Sequence, residues 1–302
     1  MATTRVTASA ALPSTRLVSP GRGSAIPLGG AVRSILGDPP SLLGVVLFVL
    51  IVAVALFAPT IAPYDPSAVH VRDRLQLPSS GYVLGTDELG RDLLSRIIFG
   101  SRISLIVGVI AVGIAATAGI LLGLASAFYG GIVDSLVMRA LDGVLAFPAI
   151  ILALAIITAL GPSAGNAMIA IGIVSIPTFA RITRGNVLSL KEKEFVEAAR
   201  ACGATSPYLM LRVLLPNCLS PLLVQASVAF ANAILTEAAL SFLGLGVQPP
   251  TPSWGSMLDT GRKYLTQTPW YSFSAGAAIF VAVLSLNLLG DGLRDALDPR
   301  SR

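Results

Sequence analysis

The sequence predicts an all-α, polytopic membrane protein with six transmembrane helices, and three observations carry that prediction. Of its 302 residues 54% are hydrophobic and only 12% charged, where soluble domains carry about 25% charged residues. The apolar residues are gathered into runs, most of them long enough to cross a hydrocarbon core of about 30 Å as helices. The basic residues fall between those runs. The net charge of +5 and pI near 9.6 therefore belong to loops facing anionic lipid and cytoplasm, not to a nucleic-acid surface.

Residues 1–36 are rich in Ala, Ser, Thr, Gly and Pro and carry four arginines but no acid. Such a segment cannot pack a core and reads as a disordered cytoplasmic tail. An organelle transit peptide has a similar composition, but the remainder of the chain has a bacterial look. Residues 37–103 make a second unit. Its span, 42–62, ends at Pro59 and Pro63, and a polar extracytoplasmic segment follows. The later part of that segment predicts an interfacial helix with Leu89, Leu93, Ile97 and Ile98 on one face and Arg91 and Arg96 elsewhere. Thr86 is its expected N-cap, with Asp87 and Glu88 placed well for the helix dipole.

Residues 104–302 supply five further spans. The second, 104–128, carries the small pair Gly119 and Gly123, which permits close helix approach. The third, 136–160, is expected to bend at Pro148 and carries Arg139 and Asp142 at a spacing that lets them pair. The fourth has an apolar core of only 14 residues, 167–180. It crosses only if its helix continues through Thr183 toward Leu190. The fifth covers 219–245 and the sixth 275–289. Between them 248–271, proline-rich and holding Trp254 and Trp270, predicts an irregular outer segment with both indoles at the interface.

The longest polar interruption among the later spans is the loop 185–216. Phe195, Ala199 and Cys202 recur at helical spacing and give a short helix one apolar stripe, with Glu197 and Arg200 a turn apart on its polar side. Gly203 ends that helix. Ser206 as N-cap and Pro207 as first residue begin a second, and Pro216 marks the turn into the next span. Placing the N-terminus inside puts 14 of the 21 basic residues, and this loop, on the cytoplasmic side. Both termini are then cytoplasmic.

The order Glu197-Ala198-Ala199, three residues, Gly203, nine residues, then Val213-x-Leu215-Pro216 closely resembles the signature cytoplasmic loop of ABC importer permeases. In that family the loop docks on the ATPase subunit. The motif Gly85-Thr86-Asp87 with Gly90-Arg91-Asp92 resembles an outer motif of the dipeptide, oligopeptide, glutathione and nickel importers. The stretch 239–250 and the ending 287–295 look like the same subgroup, in its second permease type. The resemblance covers 37–302 and implies a type I importer fold in a bacterial inner membrane. It implies as partners a second homologous permease, two ABC ATPase subunits, an extracytoplasmic solute-binding protein and membrane lipid. Docking of the binding protein is expected around Asp87 and Trp254. Peptide is the leading solute; a nickel chelate, glutathione or an opine would use the same mechanism.

No catalytic role is expected. No glycine precedes a lysine, so the chain has no P-loop. One histidine, His70, and two cysteines, Cys202 and Cys218, assemble no zinc site and no nucleophile–base pair, and no cofactor is expected. An ATP-independent secondary transporter is the remote alternative, but it would more often show inverted repeats. Glu237, inside the fifth span, has two readings: it lines the solute path, or it makes a structural bond to a neighbouring helix, Asn287 being a candidate partner.

Overall fold

The computed structural model describes residues 35–297; the proposed tail, apart from its last two residues, lies outside them. Helix α1 (Pro39–Leu56) starts on Asp38, whose carboxylate accepts from the Ser41 amide at 3.0 Å, with prolines in its first turn where no amide is needed. A short α2 (Ala58–Ile61) follows. The long α3 (Leu93–Tyr129), α4 (Gly131–Leu145), α5 (Ala149–Leu160) and α6 (Ala164–Leu190) come next, then α7 (Glu194–Ala201), α8 (Ser206–Tyr208), a π turn (Leu209–Leu214) and α9 (Leu215–Phe242). A short α10 (Trp254–Arg262) and the last helix α11 (Pro269–Leu297) follow. Five helices are long and apolar enough to cross a membrane, and α4 with α5, bent by 90° at Pro148, makes a sixth if counted as one span.

Four expectations are corrected here. There is no separate interfacial helix: α3 begins at Leu93 and runs unbroken through Ile103 into the second span. Its N-cap is Asp92, which accepts from the Ser95 amide at 2.8 Å and the Ser95 hydroxyl at 2.6 Å; Thr86 lies in the loop before it. Asp142 pairs with Arg181 on α6 at 2.6 Å and not with Arg139 on its own helix. The segment 248–271 is not irregular throughout, because Ser253 and Ser256 form a reciprocal capping box that starts α10. The condition set on the fourth span is met, since α6 runs to Leu190 despite Pro177 in its interior.

The central packing is α3 against α6. A Cβ on Gly119 would stand 2.5 Å from the Phe179 Cβ, and one on Gly123 would stand 2.5 Å from the Ala180 carbonyl oxygen. Only glycine lets the two backbones come this close. Toward one end of the bundle, Val107 and Ala111 of α3 meet Ala153 and Ile157 of α5 and Ala167, Met168, Ala170 and Ile171 of α6. Toward the other end, Ala115, Leu124 and Ala127 meet Phe179 and Val187. Helix α1 lies along α11, where Gly44 abuts Leu288 and Leu289. Its C-terminal carbonyls, which have no helical partner, are taken by Arg102 of α3: Nε donates to the Ala55 oxygen at 2.5 Å and an Nη to that of Leu56 at 3.0 Å.

Candidate functional site

The loop 185–216 is a helix, a glycine break and the foot of a span. Helix α7 ends as expected at Gly203, whose φ of +83° places it in the left-handed region. The Gly203 and Ala204 amides close on the carbonyls of Arg200 and Ala199. The side facing the protein differs from the predicted stripe. Val196 is the buried residue, packed with Val187, Leu214 and Cys218, while Phe195 is 44% exposed and Cys202 is fully on the surface. Glu197, Ala198 and Arg200 are exposed and Ala199 is half-buried; among the described residues Glu197 makes no ion pair. The face presented outward therefore joins charge, small residues and the exposed side chains of Phe195, Tyr208 and Leu211.

Beyond Gly203 the N-cap is Thr205, one residue earlier than predicted, with Ser206 and Pro207 opening α8. No second turn separates this short helix from the fifth span. The chain passes through the π turn directly into α9, and Ser206–Phe242 is one helical rod, about 55 Å long at 1.5 Å per residue. Pro216 lies within it and is exposed, with Leu215 half-buried beside it. Lacking an amide, Pro216 cannot return a bond to the Arg212 carbonyl, and its ring needs room there; the widened turn just before it supplies that room. At the same end of the molecule Asp134 accepts from two nitrogens of the Arg184 guanidinium, each at 2.6 Å, and from the Ser126 hydroxyl. The Lys191 ammonium reaches the Ala127 carbonyl at the end of α3 at 3.3 Å.

At the opposite end, Gly85, Thr86, Asp87, Gly90, Arg91 and Asp92 form a buried knot. Asp87 has no exposed surface. Its Oδ1 accepts from the amides of Leu89 and Arg91 at 2.9 Å, its Oδ2 accepts from Arg91 Nε at 2.6 Å, and Arg96 Nε stands 3.5 Å away. An Arg91 Nη continues to Glu88 at 3.1 Å, and Glu88 accepts from the Tyr271 hydroxyl on α11 at 3.1 Å. Thr86 accepts from the Gln76 amide and donates to the Asp73 carbonyl. Gly90, at φ +77°, leaves no room for a side chain, since a Cβ would come within 1.9 Å of the His70 oxygen. The motif is thus an internal brace. Nearby Tyr82 donates to Asp73 at 3.1 Å, and its hydroxyl titrates above the usual phenol range through desolvation and then that bond.

Trp254, expected at the membrane interface, is buried: its Nε1 donates to the Ile97 carbonyl at 3.0 Å and its ring fills the space left by Gly100. Trp270 is the exposed indole, 43% accessible. Glu237 has no exposed surface, and its partner is Ser241, one turn along α9, at 2.6 Å. Asn287 lies on an exposed side of α11, so the bond proposed to it is not made.

Residues 119–302, more than half of the chain, match the family described as the binding-protein-dependent transport system inner membrane component. The chain belongs to that family of permeases. Residues 27–78 further match the N-terminal transmembrane domain of oligopeptide transport permease C. The permease is 50% identical to the di/tripeptide transport system permease protein DppC of Pseudomonas aeruginosa, over 85% of this chain and 87% of that one. It is 45% identical to the glutathione transport system permease protein GsiD of Pectobacterium atrosepticum, over 84% and 85% respectively. Its fold matches a chain in an inward-facing structure of the MetNI methionine ABC transporter at TM-score 0.56, with 19% identity, covering 68% of this chain and 98% of that chain. The protein is accordingly a multi-pass inner-membrane permease of an ABC importer. It is a transport subunit, not a catalyst, in a system that also includes ATPase and binding-protein components.

Several residues of this permease that hold its functional ends together escaped the sequence reading. Val196 is hidden by the equally apolar Phe195 beside it, and the stripe through Val196 carries Arg200 and Gly203, so periodicity favours the wrong side. Arg184, Arg102 and Tyr271 act across 50, 47 and 183 residues of sequence respectively, and no local spacing encodes such partners.

Proposed function

We propose that the permease carries di- and oligopeptides, delivered by an extracytoplasmic binding protein, into the cytoplasm. In this reading it pairs with a second homologous permease and two ABC ATPase subunits, and both termini are cytoplasmic. The observation that carries the coupling role is the exposed face of α7 and α8, with Glu197, Ala198, Phe195 and Tyr208 turned outward on a helix anchored by the single buried Val196. Two ATPase subunits closing on ATP would press on this face, and the rod from Ser206 to Phe242 would carry the displacement across the membrane. The peptide assignment is supported by the relatives named for di- and tripeptides; the relative named for glutathione, itself a tripeptide, fits the same solute class.

The buried state of Asp87, Arg91 and Asp92 moves the docking surface for the binding protein away from those side chains to their exposed neighbours, such as Val71, Leu77 and Val83. The test is uptake of labelled di- and oligopeptides, glutathione and chelated nickel in cells with and without the gene. Selective loss of peptide uptake is expected; selective loss of nickel uptake would replace the solute and leave the mechanism. For the coupling role, Glu197→Ala should lower uptake and ATPase association while the protein stays in the membrane. Unchanged uptake in that variant overturns the assignment of the loop.

A further inference from the structure

We propose that Glu237 is a positioning residue that pins the outer helix α10 to the far end of α9, so that the coupling loop and the outer cap are two ends of one mechanical element. The proposal rests on the reading of the loop 185–216 as the ATPase contact. Its starting point is the continuous helical stretch Ser206–Phe242, π turn included, whose foot lies in that loop and whose outer end carries Glu237, Ala238 and Ser241.

Hydroxyls in helices commonly donate to the carbonyl four residues back. Thr158, Ser175, Thr183 and Thr236 all do so here. Ser241 does not. Its Oγ donates instead to the Glu237 carboxylate at 2.6 Å, and in that orientation it accepts from the Val247 amide at 3.0 Å, fixing the first turn of the outer segment. The carboxylate thus decides which way the Ser241 hydroxyl points. The second carboxylate oxygen, fully buried, has no hydrogen-bond partner. Through Ser241, Glu237 therefore links the end of α9 to the segment that leads into α10.

The surrounding contacts leave no slack. A Cβ on Gly246 would stand 2.0 Å from Ser241 Oγ, and one on Gly255 would stand 2.5 Å from the Ala238 carbonyl oxygen. Arg262, near the end of α10, lies over the Phe242 ring at 4.7 Å. From α10 the path continues to the rest of the cap: Trp254 bonds to α3, and Met257 packs with Leu93 and Tyr271, the residue that holds Glu88 of the knot. A displacement of the outer end of α9 then moves the cap as a block.

The test uses the full complex of permeases and ATPases in right-side-out vesicles. It reads trypsin cleavage from outside at Arg262 and Lys263, both more than half exposed, and the ratio of binding-protein-stimulated to basal ATPase rate. Glu237→Leu should speed cleavage about tenfold, the opening expected when the buried Ser241 hydroxyl loses its acceptor, and should lower the stimulation ratio. Glu237→Gln, which keeps an oxygen acceptor for Ser241, should restore both to within about twofold. Ser241→Ala, which keeps the volume and removes both bonds, should behave as Glu237→Leu even if the leucine variant fails to assemble. Cleavage and stimulation at the parental level in Ser241→Ala, or a glutamine variant as defective as the leucine one, overturns the proposal. Failure of the underlying coupling reading shows separately, as intact stimulation in Glu197→Ala.

Discussion

Arg91→Ala is the substitution with the largest expected effect on the outer cap. Asp87 is fully buried, and its Oδ2 is held by Arg91 Nε at 2.6 Å, with Arg96 the other cation at 3.5 Å. Removing one partner of a buried ion pair costs about 3–5 kcal/mol, because the remaining charge is stranded. Arg96 stays, so the lower end, about 3 kcal/mol, applies. At a factor of ten per 1.4 kcal/mol, local opening of the cap rises roughly 100-fold. The assay is limited trypsin digestion of right-side-out vesicles, with cleavage at Arg72 and Arg74, both exposed, followed against time. When reclosing outpaces cleavage, the rate tracks the open population and should rise by that factor. Arg91→Lys should fall between, since an ammonium cannot serve Asp87 and Glu88 with the geometry of a planar fork. A cleavage rate in Arg91→Ala within about threefold of the parent would correspond to under 1 kcal/mol and would refute the view that this pair braces the cap.

Other substitutions probe the remaining joints. Gly203→Ala meets open space, so its cost is the left-handed backbone alone, about 1–2 kcal/mol; uptake should fall while membrane insertion, followed by fractionation, stays normal. Gly123→Ala sets a methyl 2.5 Å from the Ala180 carbonyl oxygen, which forces α3 and α6 apart and should cost about 1–3 kcal/mol, read as a lower thermal midpoint of the purified complex. Arg184→Glu places two acids together at Asp134 and should reduce the assembled complex recovered in detergent, with the swap Asp134→Arg and Arg184→Glu recovering part of it. Normal recovery of the single variant would mean that the bidentate pair contributes nothing to assembly.

What the sequence determined by itself is local. Span positions follow from apolar run length, since a helix satisfies its own backbone wherever the solvent cannot, and even the doubtful fourth span obeyed that rule. The end of α7 at Gly203 follows from one glycine, and the bend between α4 and α5 from Pro148. The helix, glycine break and second helix of the loop 185–216 were legible in its residue types. Partnership was decided only in three dimensions. Asp142 has a plausible mate three residues away yet bonds to Arg181, because α6 packs against α4 and brings that guanidinium within reach. Thr86 has the residue type of a cap, yet Asp92 caps α3, because Gly85 and Gly90 fold Thr86 back onto Gln76 and Asp73. The motif around Asp87 was expected to lie at a docking surface because of its resemblance to the importer permeases, yet its side chains are buried. Its burial depends on Tyr271, 183 residues from its partner Glu88. Periodicity records which face of a helix is apolar; which side chain a buried charge finds depends on how separate helices cross, and no local pattern holds that information.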